Sequence, residues 1–144
     1  MFVGVLDLTT GHLDFCNGGH NAPMICRLNA DGIIDVTYAK MITNLAIGVY
    51  PEFIYRKEEA QLNPGDIIFM YTDGLTEAEN TGKELFGEDA ALSELKRSIH
   101  TATESAKYYV DSMYEAVLAH TAGAEQNDDL TMLVLKYKGS FKQG

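Results

Sequence analysis

Residues 64–80, Pro-Gly-Asp-Ile-Ile-Phe-Met-Tyr-Thr-Asp-Gly-Leu-Thr-Glu-Ala-Glu-Asn, constrain the fold more than any other stretch. A Pro64-Gly65 turn opens the segment. Ile67, Ile68, Phe69, Met70 and Tyr71 then form an apolar run that suits a strand buried on both faces and is too short for a helix. The run stops at Thr72-Asp73-Gly74. A carboxylate at the end of a buried strand is held rigidly at the rim of the core. The glycine after it permits a sharp turn and the close approach of a ligand. These features suit a metal-binding carboxylate. Taken alone, the same residues also describe a strand followed by an ordinary Asp-Gly turn.

The chain of 144 residues is long enough for one domain with a real core. No apolar stretch is long enough to span a membrane, and no secretory signal pattern opens the chain. The net charge is −10, from 21 acidic and 11 basic residues. Such a surface repels nucleic acid and anionic lipid, so neither is an expected partner. Cys16 and Cys26 lie in strand-like segments with no second Cys or His at zinc spacing. They are read as buried free thiols of a reducing, cytoplasmic compartment.

Taken in order, the chain opens with a strand over residues 2–8. A Thr10-Gly11 turn leads to a second strand, 12–16, followed by a polar, glycine-rich loop, Asn17-Gly18-Gly19-His20-Asn21. Further strands are predicted over 22–28, 33–38 and 53–62. The first four form an antiparallel meander in this reading. Two helices follow the central strand. The first, 88–99, sets Ala91, Leu92, Leu95 and Ile99 on one face. Thr101 and Glu104 have capping-box spacing for the second. That helix carries Ala106, Tyr109, Val110, Met113, Ala116 and Val117 at helical periodicity, a stripe read as core packing. A last buried strand spans 130–137, and residues 138–144 read as a flexible tail. The order implies an α+β fold of layered antiparallel β-sheets with a flanking helix pair.

Three polar loops stand at strand ends: 17–21, 72–77 and 127–131. Two of them present aspartates, Asp73 and Asp128, from strands that are candidates for neighbours in one sheet. Carboxylate oxygens select Mg²⁺ or Mn²⁺ over zinc or copper. Two such ions about 3.5–4 Å apart activate a water and clamp a phosphoryl group.

The strings Asn-Gly-Gly-His-Asn-Ala-Pro (17–23), Leu-Asn-Pro-Gly-Asp-Ile-Ile-Phe-Met-Tyr-Thr-Asp-Gly-Leu-Thr-Glu-Ala (62–78), Leu-Phe-Gly (85–87) and Asn-Asp-Asp-Leu-Thr-Met-Leu-Val-Leu (127–135) resemble bacterial serine phosphatases of the stage-II-sporulation type. These are protein phosphatase 2C-like (PPM) enzymes. The resemblance runs from about Phe2 to Lys136. It implies two packed antiparallel sheets flanked by helix pairs. It further implies a Mn²⁺- or Mg²⁺-dependent phosphoserine or phosphothreonine phosphatase that needs no serine or cysteine nucleophile. By resemblance, Asp73 and Asp128 are metal ligands and catalytic residues. Gly74, Asp129 and Thr131 support their loops, and His20 and Asn21 orient the first loop. Glu77 is near the site without an assigned role. Gly18 and Ala46 replace the family's usual alanine and proline.

The family's front segment, with its further metal carboxylates and one helix pair, has no counterpart in this chain. The expectation is therefore a partial catalytic domain, 1–137, of a longer protein with an upstream sensor or regulatory domain. The implied substrate is a phosphorylated anti-anti-sigma-type regulator of sigma-factor or stress signalling. The alternative is an inactive phosphatase-like module that binds such a regulator. An uncovered sheet face and an open edge at strand 2–8 further imply a homo-oligomer of the isolated segment.

Overall fold

The computed structural model describes residues 1–29, 33–42, 44–99 and 105–140. Seven strands and three helices follow in the order β1 (Phe2–Leu6), β2 (His12–Asn17), β3 (Met24–Leu28), β4 (Ile34–Tyr38), β5 (Glu58–Gln61), β6 (Ile67–Tyr71), α1 (Asp73–Thr76), α2 (Gly87–Ser98), α3 (Ala106–Thr121) and β7 (Met132–Lys136). They form two antiparallel sheets, one ordered β1-β2-β5 and the other β4-β3-β6-β7.

The single meander expected for the first four strands is replaced by two hairpins in different sheets. β1 pairs with β2, and β3 pairs with β4 and β6. Residues 17–21 therefore carry the chain from one sheet to the other. Gly18 and Gly19 permit that crossing. A Cβ on Gly19, at φ +76°, would lie 2.7 Å from the Ala46 Cα, and one on Gly18 would lie 2.7 Å from the Ile47 side chain. The loop is thus seated on residues 46–47, and glycine leaves the room.

β6 shows why its sequence has no polar residue. Alternate side chains of a strand point to opposite faces. Ile67, Phe69 and Tyr71 join a core with Met24, Cys26 and Val36 from the sheet, and with Ala91, Leu95, Tyr109, Met113 and Val117 from the helices. Ile68, with Met70 beside it, joins a second core between the sheets, with Leu13, Phe15, Leu62 and Tyr137. The layers are a three-stranded sheet, a four-stranded sheet and a helix pair. The expected helical faces are the ones buried. Desolvation in the helix-side core pushes the free Cys26 thiol up to about 12. Cys16, also free, is only half-buried, on the outer face of the three-stranded sheet, rather than fully buried as expected.

Other expectations shift at their ends. The strand predicted over 53–62 forms only at Glu58–Gln61. Upstream, the Arg56 N–H donates to Asn44 Oδ1 and the Arg56 carbonyl accepts from Asn44 Nδ2, so a side chain takes the place of a neighbouring strand. The predicted capping pair Thr101 and Glu104 lies outside the described residues. α3 begins at Ala106, and the Ser105 hydroxyl caps it by accepting the Tyr108 N–H. Of the predicted tail, residues 141–144 lie outside the described residues. Among those described, no helix is long and apolar enough to cross a membrane.

Strand register positions the site. Met24 at the start of β3 faces Phe69 near the end of β6, and Tyr71 at the end of β6 faces Met132 at the start of β7. The loop entering β3, the loop leaving β6 and the loop entering β7 therefore gather at one end of the four-stranded sheet. These are the three polar loops singled out in the sequence.

Candidate metal centre

Asp73 opens a single helical turn, α1, where the Asp-Gly pair by itself suggests only a turn. Its carboxylate is exposed, and its backbone carbonyl accepts from Glu77 N and Thr76 Oγ1. Thr72 occupies the N-cap position of α1, where a hydroxyl ordinarily accepts from a helix N–H. Here it makes no such bond. Its Oγ1 instead donates to the Asp129 carbonyl at 2.9 Å and accepts the Thr131 N–H at 3.0 Å. The Thr72 N–H donates to the Thr131 carbonyl at 3.0 Å. One threonine thus ties the loop of Asp73 to the loop of Asp128.

Gly74 has a more specific reason than a turn or a ligand. A Cβ there would lie 2.5 Å from the Asp129 carbonyl oxygen, so the closing loop passes where any side chain would stand. In that loop the Asp128 Oδ1 accepts the Asp129 N–H at 2.7 Å, and the Asp128 carbonyl accepts from Gln126 Nε2. Among the described residues, these bonds leave Asp128 Oδ2 and the whole Asp73 carboxylate available as hard oxygen donors, the type that suits Mg²⁺ or Mn²⁺. Asp129 and Thr131 contribute to the tie through their backbones.

His20 and Asn21 sit in the third loop. The Asn17 side chain brackets His20, donating to its carbonyl and accepting its N–H, both at 2.8 Å. The His20 ring Nδ1 lies 3.0 Å from the Asn21 carbonyl. His20 borders a small recess with Asn17 and Asn44, separate from the groove that Gly74 and Asp128 share. Thr72 and Asn17 were not among the residues expected from sequence. A hydroxyl directly before Asp-Gly, at the start of a helical turn, was the available signal for the first.

Among the described residues, one group of three potential ligands lies together: His12, Asp14 and Glu59, with ligand atoms within 4.8 Å of one another. It stands on the three-stranded sheet, away from Asp73 and Asp128. The Lys57 ammonium lies between its carboxylates, 2.6 Å from Asp14 and 3.0 Å from Glu59. That hydrogen bond holds the Asp14 carboxyl below its ordinary value and raises Lys57. The cation this cluster takes in the structure is the lysine.

Comparison with known proteins joins these features to one family. The 144-residue chain covers all of itself against the phosphatase domain of the cell fate determinant SpoIIE from Bacillus subtilis, from an Mn-presoaked crystal. The match has 20% identity and a TM-score of 0.68, and spans 59% of that chain. The RsbU and RsbW domains of Rv1364c from Mycobacterium tuberculosis match 96% of this chain and 36% of theirs, with 26% identity and a TM-score of 0.66. Protein IcfG of Synechocystis is 30% identical over 135 residues, which is 94% of this chain and 20% of that protein. The chain thus spans less than two thirds of each of these relatives. The fold is that of a protein phosphatase 2C-like domain. The family description "Stage II sporulation protein E (SpoIIE)" fits residues 1–138, so the gathered loops, the two-sheet core and the helix pair are those of a member of the SpoIIE family.

Proposed function

We propose that this chain forms the part of a metal-dependent serine/threonine phosphoprotein phosphatase that holds Asp73 and Asp128. One observation carries the reading: a single hydroxyl, that of Thr72, ties together the two loops that bear them. Asp73 and Asp128 are the ligands of Mn²⁺ or Mg²⁺. A bound pair of such ions supplies charge at the phosphoryl oxygens and an activated water. The chain's own contribution is placement. β6, buried on both faces, fixes where Asp73 starts, and Gly74 lets the closing loop pass beside it. Asp128 is exposed and spends one carboxylate oxygen on its own loop.

The substrate in this reading is a phosphorylated anti-anti-sigma-type regulator, and the setting is cytoplasmic signalling through an upstream sensor domain. The test is Mn²⁺-dependent turnover of a phosphoserine protein by the full-length protein, native against Asp73→Asn. The substitution keeps the size and removes the charge. Turnover falls by orders of magnitude, as expected when the group that holds the metal is lost. A native rate in the variant overturns the assignment.

A second reading, a phosphatase-like module that binds such a regulator without turnover, is favoured by one observation. No third His, Cys, Asp or Glu joins Asp73 and Asp128 as a ligand group among the described residues. Hard cations take about six or more oxygen ligands each, so two carboxylates alone hold them weakly. We also propose that the 144-residue chain self-associates through β1. This strand is at the edge of its sheet and leaves Val3 and Val5 exposed. Light scattering at several concentrations reports a dimer or larger species, and a monomer throughout overturns this.

A further inference from the structure

A groove of about 420 Å³ begins at Gly74 and Asp128 and runs between α3 and the hairpin at residues 79–85. Its walls are fixed. The hairpin closes through a bridge between Glu79 and Leu85, and Asn80 Oδ1 accepts the N–H groups of Gly82 and Glu84. His120 of α3 holds it from the other side, with its Nε2 3.0 Å from the Glu84 carbonyl and its ring against Phe86. The groove has an apolar lining that nothing among the described residues covers: Leu85, Tyr114 and Leu118 are each about half exposed. Tyr114 and Leu118 are one helical turn apart on α3, so they present one continuous face.

The rim is acidic. Glu77 and Glu125 line the groove and make no ion pair among the described residues. Glu79 is held below its ordinary value first by Lys83 and then by Asn127. Among the described residues no Lys, Arg or His lines the groove, although Lys83 pairs with Glu79 of its rim at 2.7 Å. A second copy of this chain would bring its own net charge of −10 to this rim, so a copy is a poor occupant. A segment with an apolar side chain for the Leu85–Leu118 floor and a Lys or Arg for Glu77 and Glu125 fits both features.

We propose that this groove docks an apolar-basic segment of the protein substrate, next to the residue being dephosphorylated. The inference rests on the phosphatase reading only for the word substrate. The groove shares Gly74 and Asp128 with the candidate metal centre, so a segment seated in it continues directly into that centre. Affinity comes from the apolar anchor, and selection comes from the acidic rim, which repels acidic segments before contact.

The test uses labelled, unphosphorylated peptides and the 144-residue chain in the presence of a chelator, so that binding is read without metal or catalysis. One peptide carries Leu and Arg. Its counterpart carries Leu and Glu at the same positions. Fluorescence anisotropy shows the Leu-Arg peptide binding at least about tenfold more tightly than the Leu-Glu peptide, a gap that narrows at high salt. Leu118→Asp abolishes binding. Glu125→Lys, on the exposed rim where folding is undisturbed, weakens the Leu-Arg peptide about tenfold and spares a Leu-Ala peptide. Absence of peptide binding overturns the proposal, as does equal binding of the two peptides or indifference to Glu125→Lys. Self-association lost in Leu118→Asp, with no peptide bound by the native chain, assigns the groove to a second copy and also overturns it. If turnover assays fail while peptide selection holds, the docking groove stands and the catalytic reading falls.

Discussion

Thr72→Val is the most direct probe of the tie between the two aspartate loops. Valine keeps the branched shape and removes the hydroxyl, so packing changes little. Two hydrogen bonds are lost, at 2.9 Å to the Asp129 carbonyl and at 3.0 Å from the Thr131 N–H. A neutral hydrogen bond contributes about 1 kcal/mol net. Asp129 and Thr131 are both exposed, so water replaces part of what they lose. The expected cost is about 1–2 kcal/mol, seen as a fall of roughly 3–8 °C in Tm for a domain of this size. The Thr72 N–H bond to the Thr131 carbonyl survives, so the loops loosen without separating. If that free energy is read out in the position of Asp128, the Mn²⁺ concentration for half-maximal turnover rises about five- to thirtyfold. Thr72→Ser keeps the hydroxyl and restores both readouts. Thermal denaturation followed by circular dichroism, with Mn²⁺ titration of activity in the full-length protein, measures them. A valine variant that matches the native protein in both refutes the reasoning. So does a serine variant as impaired as the valine one, because the hydroxyl would then not be the cause.

Two further outcomes are expected. His20→Ala leaves the number of bound metal ions unchanged and lowers the rate modestly, because the ring is engaged with the Asn21 carbonyl; elemental analysis showing a lost ion would instead make His20 a ligand. Asp66→Ala destabilises by about 2–4 kcal/mol in urea titration, since the buried Asp66 Oδ2 accepts both Arg27 Nε at 2.9 Å and the Asn63 N–H at 3.0 Å. Arg27→Ala costs a comparable amount, because it leaves the buried Asp66 carboxylate without its counter-charge and with only the Asn63 N–H as a partner, so a negligible loss would contradict this account.

The run at 67–71 was legible because every local signal agreed: a Pro-Gly turn before it, an Asp-Gly after it and no polar residue between. The structure ends the strand at the same residues. The helix pair was legible from the spacing of Ala91, Leu95, Tyr109, Met113 and Val117, all buried. The crossing of residues 17–21 between sheets was not. A short glycine-rich loop between two strands has the same composition whether it closes a hairpin or changes layer. Only the tight seats against Ala46 and Ile47, far along the chain, distinguish the two. The half-formed strand at 53–62 failed for a similar reason. Its alternation is strand-like, but Asn44 takes the backbone bonds of Arg56. For the site, Asp73 and Asp128 were found as residue types at strand ends. The tie between their loops depends on the β6–β7 register and on one hydroxyl rotamer, and neither is written in spacing.

β6 has one face in each core, and this has a thermodynamic consequence. A strand that borders a single core can detach with its helix or its hairpin while the rest of a protein stays folded. β6 cannot, because loosening either core exposes half of its side chains and removes the support of the other half. The two cores therefore melt as one cooperative unit, with the strand as their shared member. Thr72 and Asp73 grow directly from its end. Their placement is protected by the free energy of the whole domain rather than by that of a loop, and it persists for as long as the native state does.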